Sequence, residues 1–161
     1  MPAVYRYFLR WRFSTSEAEE LTQESYLQAW KSIESFRQEQ SAKAWLLSIA
    51  RRVAWRHTQN RIYKHERSGF AAQELLAMID EKESVLGPDQ YDEIKLTLQV
   101  LDGLSDHHQE VLHLHYLQEL SEREIAEVLQ IPQNTVHSRL RVARKKYRAA
   151  YTELTQESPL E

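Results

Sequence analysis

The sequence predicts an all-α protein of two small helical modules joined by a linker, the second module a helix-turn-helix. Three observations carry that prediction. Glycine and proline number only 3 and 4 in 161 residues, too few for the many tight turns of an all-β chain. The strong helix formers Ala, Leu, Glu, Gln, Arg and Lys are abundant throughout. Apolar residues recur mainly at helical intervals. The chain has no cysteine, which excludes disulfides, thiolate metal sites and cysteine nucleophiles together. No apolar run approaches the roughly 20 residues of a membrane span. The segment from Met1 to Phe13 lacks the continuous aliphatic stretch of a signal peptide. A cytoplasmic protein without direct membrane insertion is expected.

The first module is expected over residues 1–64. A helix from Val4 to about Phe13 gives way to Ser14-Thr15-Ser16, whose hydroxyls suit the N-cap of a second helix. Glu17, Glu19 and Glu20 then fill a first turn, where the helix dipole favours acids. Ala18, Leu21, Leu27, Trp30 and Ile33 recur at roughly helical spacing and are expected to face inward. Phe36 to Ser41 is a polar break. A third helix is expected from Ala42 to about Ile62, burying Trp45 or Leu46, Ile49 and Val53. Residues 65–91 read as a linker, partly helical around Ala71 to Ile79 and broken at Gly87-Pro88. The second module covers 92–151, and 152–161 reads as a frayed tail. So little apolar content in the linker predicts modules that move independently.

Charge is distributed along the same divisions. Residues 1–64 hold 11 basic and 6 acidic side chains, residues 65–105 hold 3 and 9, and residues 106–161 hold 7 and 9. The formal total of −3 therefore conceals two basic clusters, Arg51 to Lys64 and Arg139 to Arg148. Attraction to phosphates acts over a Debye length of about 8 Å, so clusters matter more than the sum.

The sharpest pattern lies between Leu120 and Tyr147. Ser121-Glu122-Arg123-Glu124 is a capping box that opens a short amphipathic helix through Ile125, Ala126, Val128 and Leu129. Gln130-Ile131-Pro132 forms a turn, with Pro132 where a new helix begins. Val136, Leu140, Ala143 and Tyr147 form that helix's buried face, and Gln133, Asn134, His137, Ser138, Arg141 and Lys145 lie opposite. A short helix, a tight turn and a longer helix with amides and a guanidinium outward is the helix-turn-helix arrangement. Its second helix fits the major groove, where Asn, Gln and Arg pair with base edges. Arg139, Arg144, Lys145 and Lys146 lie on the flanks or further along, where phosphates are in reach.

Here the chain resembles a known family. The run from Leu120 to Leu129, with Ile131-Pro132 and Thr135 to Leu140, resembles region 4 of bacterial sigma-70 factors, in particular the extracytoplasmic-function (ECF) group. Ala18 to Trp30, Phe36-Arg37 and Trp45 to Arg51 resemble that group's region 2. The resemblance covers nearly the whole chain in the family's order. It implies a transcription initiation factor that binds core RNA polymerase and directs it to promoters through their −10 and −35 elements. Residues matching the polymerase-binding positions are Glu20, Gln23 and Glu24. Arg51, Arg52, Trp55, Arg56 and Lys64 would approach the −10 DNA, with Lys43 in the loop that receives a flipped base. Cations that track phosphates and an aromatic ring that stacks on a base suit that role, although Trp55 serves equally well as core. Gln133, Asn134, His137, Ser138, Arg139, Arg141, Arg144 and Lys145 would meet the −35 element. An anti-sigma factor is expected by resemblance alone.

The chain also departs from the family. A further helix usually precedes the Tyr5-to-Phe13 segment, so two alternatives are expected: the start is incorrectly assigned, or the first module is incomplete and needs a partner over its exposed apolar surface. Gln130 stands where glycine is common, which implies strain of about 1 kcal/mol if the site is left-handed. Asn134 likewise stands where glycine is common, Ala42 replaces an aromatic, and Val142 replaces an arginine.

Other chemistries fit less well. His107, His108, His113 and His115 invite a metal reading, but His113 and His115 point apart on a helix and the nearby acids are scattered. Solvated or partly buried histidines are expected, with no metal or cofactor. There is no glycine-rich phosphate loop and no nucleophile motif, so neither an enzyme nor a small-molecule substrate is expected. The alternative is a free-standing helix-turn-helix transcriptional regulator, but no heptad seam marks a dimer interface. An adaptor that sequesters polymerase without reading DNA is a third option, opposed by the basic face of Arg139 to Arg148.

Overall fold

A computed structural model describes residues 2–11, 13–37, 39–59 and 88–156, with backbone alone at 88–91. Among these residues the chain is helical and contains no strand. The helices are α1 (Ala3–Arg10), α2 (Thr15–Lys31), α3 (Ala42–Gln59), α4 (Pro88–Asp102), α5 (Asp106–Leu112), α6 (Glu122–Leu129) and α7 (Gln133–Gln156). A 3-10 turn at Ile33–Ser35 and a π-helical turn at His113–Leu117 complete the regular structure. Residues 65–87 of the expected linker, its helical stretch around Ala71 to Ile79, Lys64 and the end of the tail lie outside the described residues.

Each boundary has a local cause. The Ser14 hydroxyl caps α2 by accepting from the Glu17 N–H, and the Glu17 carboxylate accepts from the Ser14 N–H at 2.8 Å. α4 begins at Pro88, inside the segment expected to be linker, because proline is well placed in a first turn, where its missing N–H costs nothing. α7 continues to Gln156, so the expected frayed tail is helical over Thr152 to Gln156. Residues 152–156 hold no glycine or proline to stop it.

Two buried faces differ from those expected. On α2 the inward stripe is Ala18, Leu21, Ser25 and Ala29, whereas Leu27, Trp30 and Ile33 are exposed. Small side chains let α2 approach α3 closely, and Ser25 satisfies its buried hydroxyl on the Leu21 carbonyl at 2.7 Å. On α3 the inward face is Ala44, Leu47, Ile49, Ala50 and Val53, with Trp45 and Leu46 only half-buried. The face is centred on Leu47 and Ala50, rotated from the one expected.

α1 to α3 and α4 to α7 form two helical groups, and buried residues of both belong to one continuous core from Val4 to Ala143, which Leu98 and Val100 of α4 do not join. The independence expected of the modules is therefore not what the structure shows: α3 packs on α6, and α1 is covered by α5 and the π turn. The Tyr7 ring lies 5.8 Å from the His113 ring, edge-on, and Tyr7 also meets Phe8 at 5.8 Å. Polar side chains close the junction around this core. Glu110 accepts from Tyr7 Oη at 3.4 Å and from Arg51 Nε at 2.8 Å. Arg10 donates to Gln109 at 3.0 Å and to Asp102 at 3.4 Å. Gln118 Nε2 donates to the Ala3 carbonyl at 3.1 Å, and Lys43 Nζ donates to the Gln118 carbonyl.

Candidate nucleic-acid interface

The helix-turn-helix is built as its sequence implies. The Ser121 hydroxyl accepts from the Glu124 N–H, and the Glu124 carboxylate accepts from the Ser121 N–H at 2.8 Å, closing the capping box. Those bonds from Ser121, first its N–H and then its hydroxyl, hold the Glu124 carboxyl below its usual range, with Ser41 and Lys43 adding to the effect. Gln130 ends α6 in the left-handed region at φ 56° and ψ 45°, the strained conformation expected of it. Its side-chain amide returns a bond to the Glu127 carbonyl at 2.6 Å.

Val136, Leu140 and Ala143 are fully buried and fix the rotation of α7. Gln133, Asn134, His137, Ser138, Arg141 and Lys145 consequently face outward and are exposed, while Arg139 is half-buried. One contact lies on this outward face: His137 Nδ1 sits 3.2 Å from both oxygens of Glu122 on α6. Arg144 is held in place, its Nε donating to Tyr116 Oη at 2.9 Å and its guanidinium lying 5.7 Å over the Tyr116 ring. Tyr116 belongs to the π turn, and its role has no signature in the sequence because it depends on the local winding. Tyr147, expected to be buried, is half-buried and donates to Thr97 Oγ1 at 3.4 Å.

The basic end of α3 divides into two sets. Arg52, Trp55 and Arg56 are exposed, with Trp55 63% accessible, and border a cleft beside Gln28 and Lys31 of α2. That exposure places Trp55 outside the core. Lys43 and Arg51, by contrast, are engaged by the second helical group. Burial opposes the Arg51 charge, but the bond and field of Glu110 outweigh it and raise the guanidinium pKa. Neither Glu110 nor Gln118 stands out in the sequence, since a lone Glu on a helix and a Gln in a connecting bend resemble any solvated residues.

Glu20 and Gln23 are exposed on α2, and Glu24 is half-buried. All three line a groove between α2 and α3, together with Leu27 and Arg56. Arg56 reaches Glu24 at 3.9 Å, so the candidate polymerase and −10 surfaces adjoin. Of the four histidines weighed as ligands, His113 is fully buried, a correction to the expectation that all are solvated or partly buried. Its ring is enclosed between α1 and α5. No group of three or more metal-ligating side chains occurs among the described residues, and no helix among them is long and apolar enough to cross a membrane.

The Sigma-70 region 2 family profile matches residues 1–75, and the Sigma-70, region 4 profile matches residues 94–146. The ECF RNA polymerase sigma factor SigM of Bacillus subtilis is 29% identical over 152 residues, covering 94% of this chain and 90% of its own. From the same organism, SigW is 30% identical, covering 94% and 84%, and the RNA polymerase sigma factor YlaC is 31% identical, covering 96% and 88%. The sigma factor RpoE of Bartonella quintana, solved in complex with the anti-sigma factor NepR, shares the fold with a TM-score of 0.65. That likeness comes at 20% identity and covers 94% of this chain and 91% of the other.

Proposed function

This chain belongs to the ECF sigma factors of the sigma-70 family, and from that premise we infer how its surfaces divide the work of promoter-directed transcription initiation. The factor binds core RNA polymerase and brings it to promoter DNA. Residues 1–64 form the polymerase and −10 module and 92–151 the −35 module, the second extended at its start by the first turn of α4. Chemistry at the growing RNA belongs to the polymerase, so the factor is not an enzyme and works in the cytoplasm, where the polymerase is.

The observation that carries the reading is the outward face of α7. Its buried stripe leaves Gln133, Asn134, His137, Ser138 and Arg141 exposed together, a set of base-pairing amides and a guanidinium on one helix. Arg139, Arg144 and Lys145 flank that set as phosphate contacts. On α3, Arg52, Trp55 and Arg56 supply cations and a stacking ring for the −10 strand. Lys43 and Arg51 join them only when Gln118 and Glu110 release them, so −10 binding by these two requires the junction to part. The free-standing regulator is not favoured, because a region 2 module has no part in it.

Glu20, Gln23 and Glu24 are the polymerase contacts in this reading: carboxylates and an amide along a half-apolar groove suit an arginine-bearing helical partner. An anti-sigma factor, such as the one bound to the Bartonella RpoE, is the expected restraint on this factor. Replacing Glu20, Gln23 and Glu24 together with alanine should weaken core binding by about 100-fold if they form a hot spot of about 3 kcal/mol. Binding to −35 duplex DNA should be unchanged. Equal loss of both would refute the division of surfaces.

A further inference from the structure

Where α1 meets α4, α5 and α7 the structure forms a half-open cavity of about 380 Å3, within the range of small-molecule sites. Leu101, Leu112, Leu117 and Tyr147 give it apolar walls, and none of its lining residues is acidic. Two of its polar side chains hold unspent donors. Arg144 spends its Nε on Tyr116, leaving its remaining N–H groups available, and the exposed Arg148 side chain has no hydrogen bond or ion pair to a described residue.

His113 also lines the cavity, and its neighbours fix where its ring proton sits. The Gln118 amide nitrogen donates to the Ala3 carbonyl, and this fixes which end of that amide is nitrogen. The same nitrogen lies 3.3 Å from His113 Nε2, so Nε2 must be the acceptor and the imidazole proton must sit on Nδ1. Nδ1 is buried and has no hydrogen-bond partner among the described residues. Burial first, then the charges of Arg10 and Arg6, lower the ring's pKa to about 3, so it stays neutral. Arginines at the edge of an apolar cavity that no acid lines fit a bound group of negative charge.

We propose that this cavity binds a small amphipathic organic anion, a single carboxylate on an apolar body of the medium-chain fatty acid class. The carboxylate meets the Arg144 and Arg148 guanidinium groups, and the hydrocarbon covers the leucine wall. Arg10 of α1 and Arg144 of α7 both line the site, so an occupant spans the junction between the helical groups. It thereby favours the closed arrangement. The proposal stands apart from the reading of the DNA and polymerase surfaces, and its test involves neither macromolecule.

The test is displacement of 8-anilinonaphthalene-1-sulfonate from the full chain by decanoate, with calorimetry for stoichiometry. Decanoate should bind saturably at one site, with decanol and decyltrimethylammonium at least ~10-fold weaker, since a charged hydrogen bond of this kind is commonly worth a decade in affinity. Arg148→Gln, at an exposed position, should weaken decanoate ~10-fold by the same arithmetic. Leu101→Trp, which fills the cavity, should abolish binding with the circular dichroism spectrum unchanged. If Leu101→Trp fails to fold, Arg148→Gln decides alone. Decanol binding as tightly as decanoate would overturn the proposal, as would unaltered decanoate binding in Arg148→Gln. So would no decanoate binding at all, including the case in which sedimentation shows the groove covered by a second copy of the chain.

Discussion

His113 and Arg141 show what single residues decide in this protein. His113 is neutral when folded, with its pKa lowered to about 3, while in the unfolded chain it titrates near the ordinary 6.5. Between those values the unfolded state binds the extra proton, so stability is full above about pH 6.5 and falls as the pH drops toward 3. The loss from this residue should be about 2 kcal/mol at pH 5. Urea unfolding at pH 7 and pH 5 checks this, and His113→Leu should flatten that part of the pH dependence. Arg141 lies among the exposed groups that face bases, whereas the neighbouring exposed Lys146 should meet phosphate. Arg141→Ala should change which −35 sequences are tolerated, with each good bidentate contact worth ~1–3 kcal/mol of discrimination. Lys146→Ala should weaken all sequences about equally and lower the salt slope by about one phosphate's worth. Competition binding over a −35 sequence library, repeated at several salt concentrations, separates the two. The outward residues of α7 were legible because Val136, Leu140 and Ala143 leave one rotation of that helix open. The environment of His113 was not, because its burial is created by α1, more than a hundred residues away in the chain.

At the scale of elements, caps and turns were read more surely than faces. Ser121-Glu122-Arg123-Glu124 admits one capping box, and the structure forms it. Ser14-Thr15-Ser16 offers three hydroxyls, and only the geometry selects Ser14. The inward stripe of α2 was misread for a physical reason. Leu27, Trp30 and Ile33 are apolar, yet close packing against α3 selects Ala18, Ser25 and Ala29 and turns the large side chains outward. Their exposure follows from size rather than from polarity. At the end of α6, Gln130 holds a left-handed conformation that glycine adopts without strain. Gln130→Gly should therefore stabilise the protein by about 1 kcal/mol, offset in part by the lost bond to Glu127. A rise in the urea midpoint at unchanged slope is the expected result, and a fall would mean that the side-chain bond outweighs the strain.

At the scale of the whole molecule, the closed junction sets the terms on which the DNA surfaces act. Glu110 is almost fully buried and answers both Tyr7 and Arg51. Glu110→Ala should therefore cost about 1–3 kcal/mol, through donors left unpaired, and should make thermal unfolding less cooperative. The all-α class and the order of the two modules were legible because each module carries its own motif. Their packing was not, since it rests on Glu110, Gln118 and Arg10, whose partners lie on helices far apart in sequence. Promoter-directed initiation remains the central claim, and one measurement tests it most directly. The purified chain is added to core RNA polymerase on a genomic promoter library, and the 5′ ends of the transcripts are sequenced. Starts should cluster downstream of one shared pair of −35 and −10 sequences, and that clustering should vanish with the triple alanine change at Glu20, Gln23 and Glu24. Starts no different from those of core polymerase alone, with the chain still bound to duplex DNA, would contradict the account.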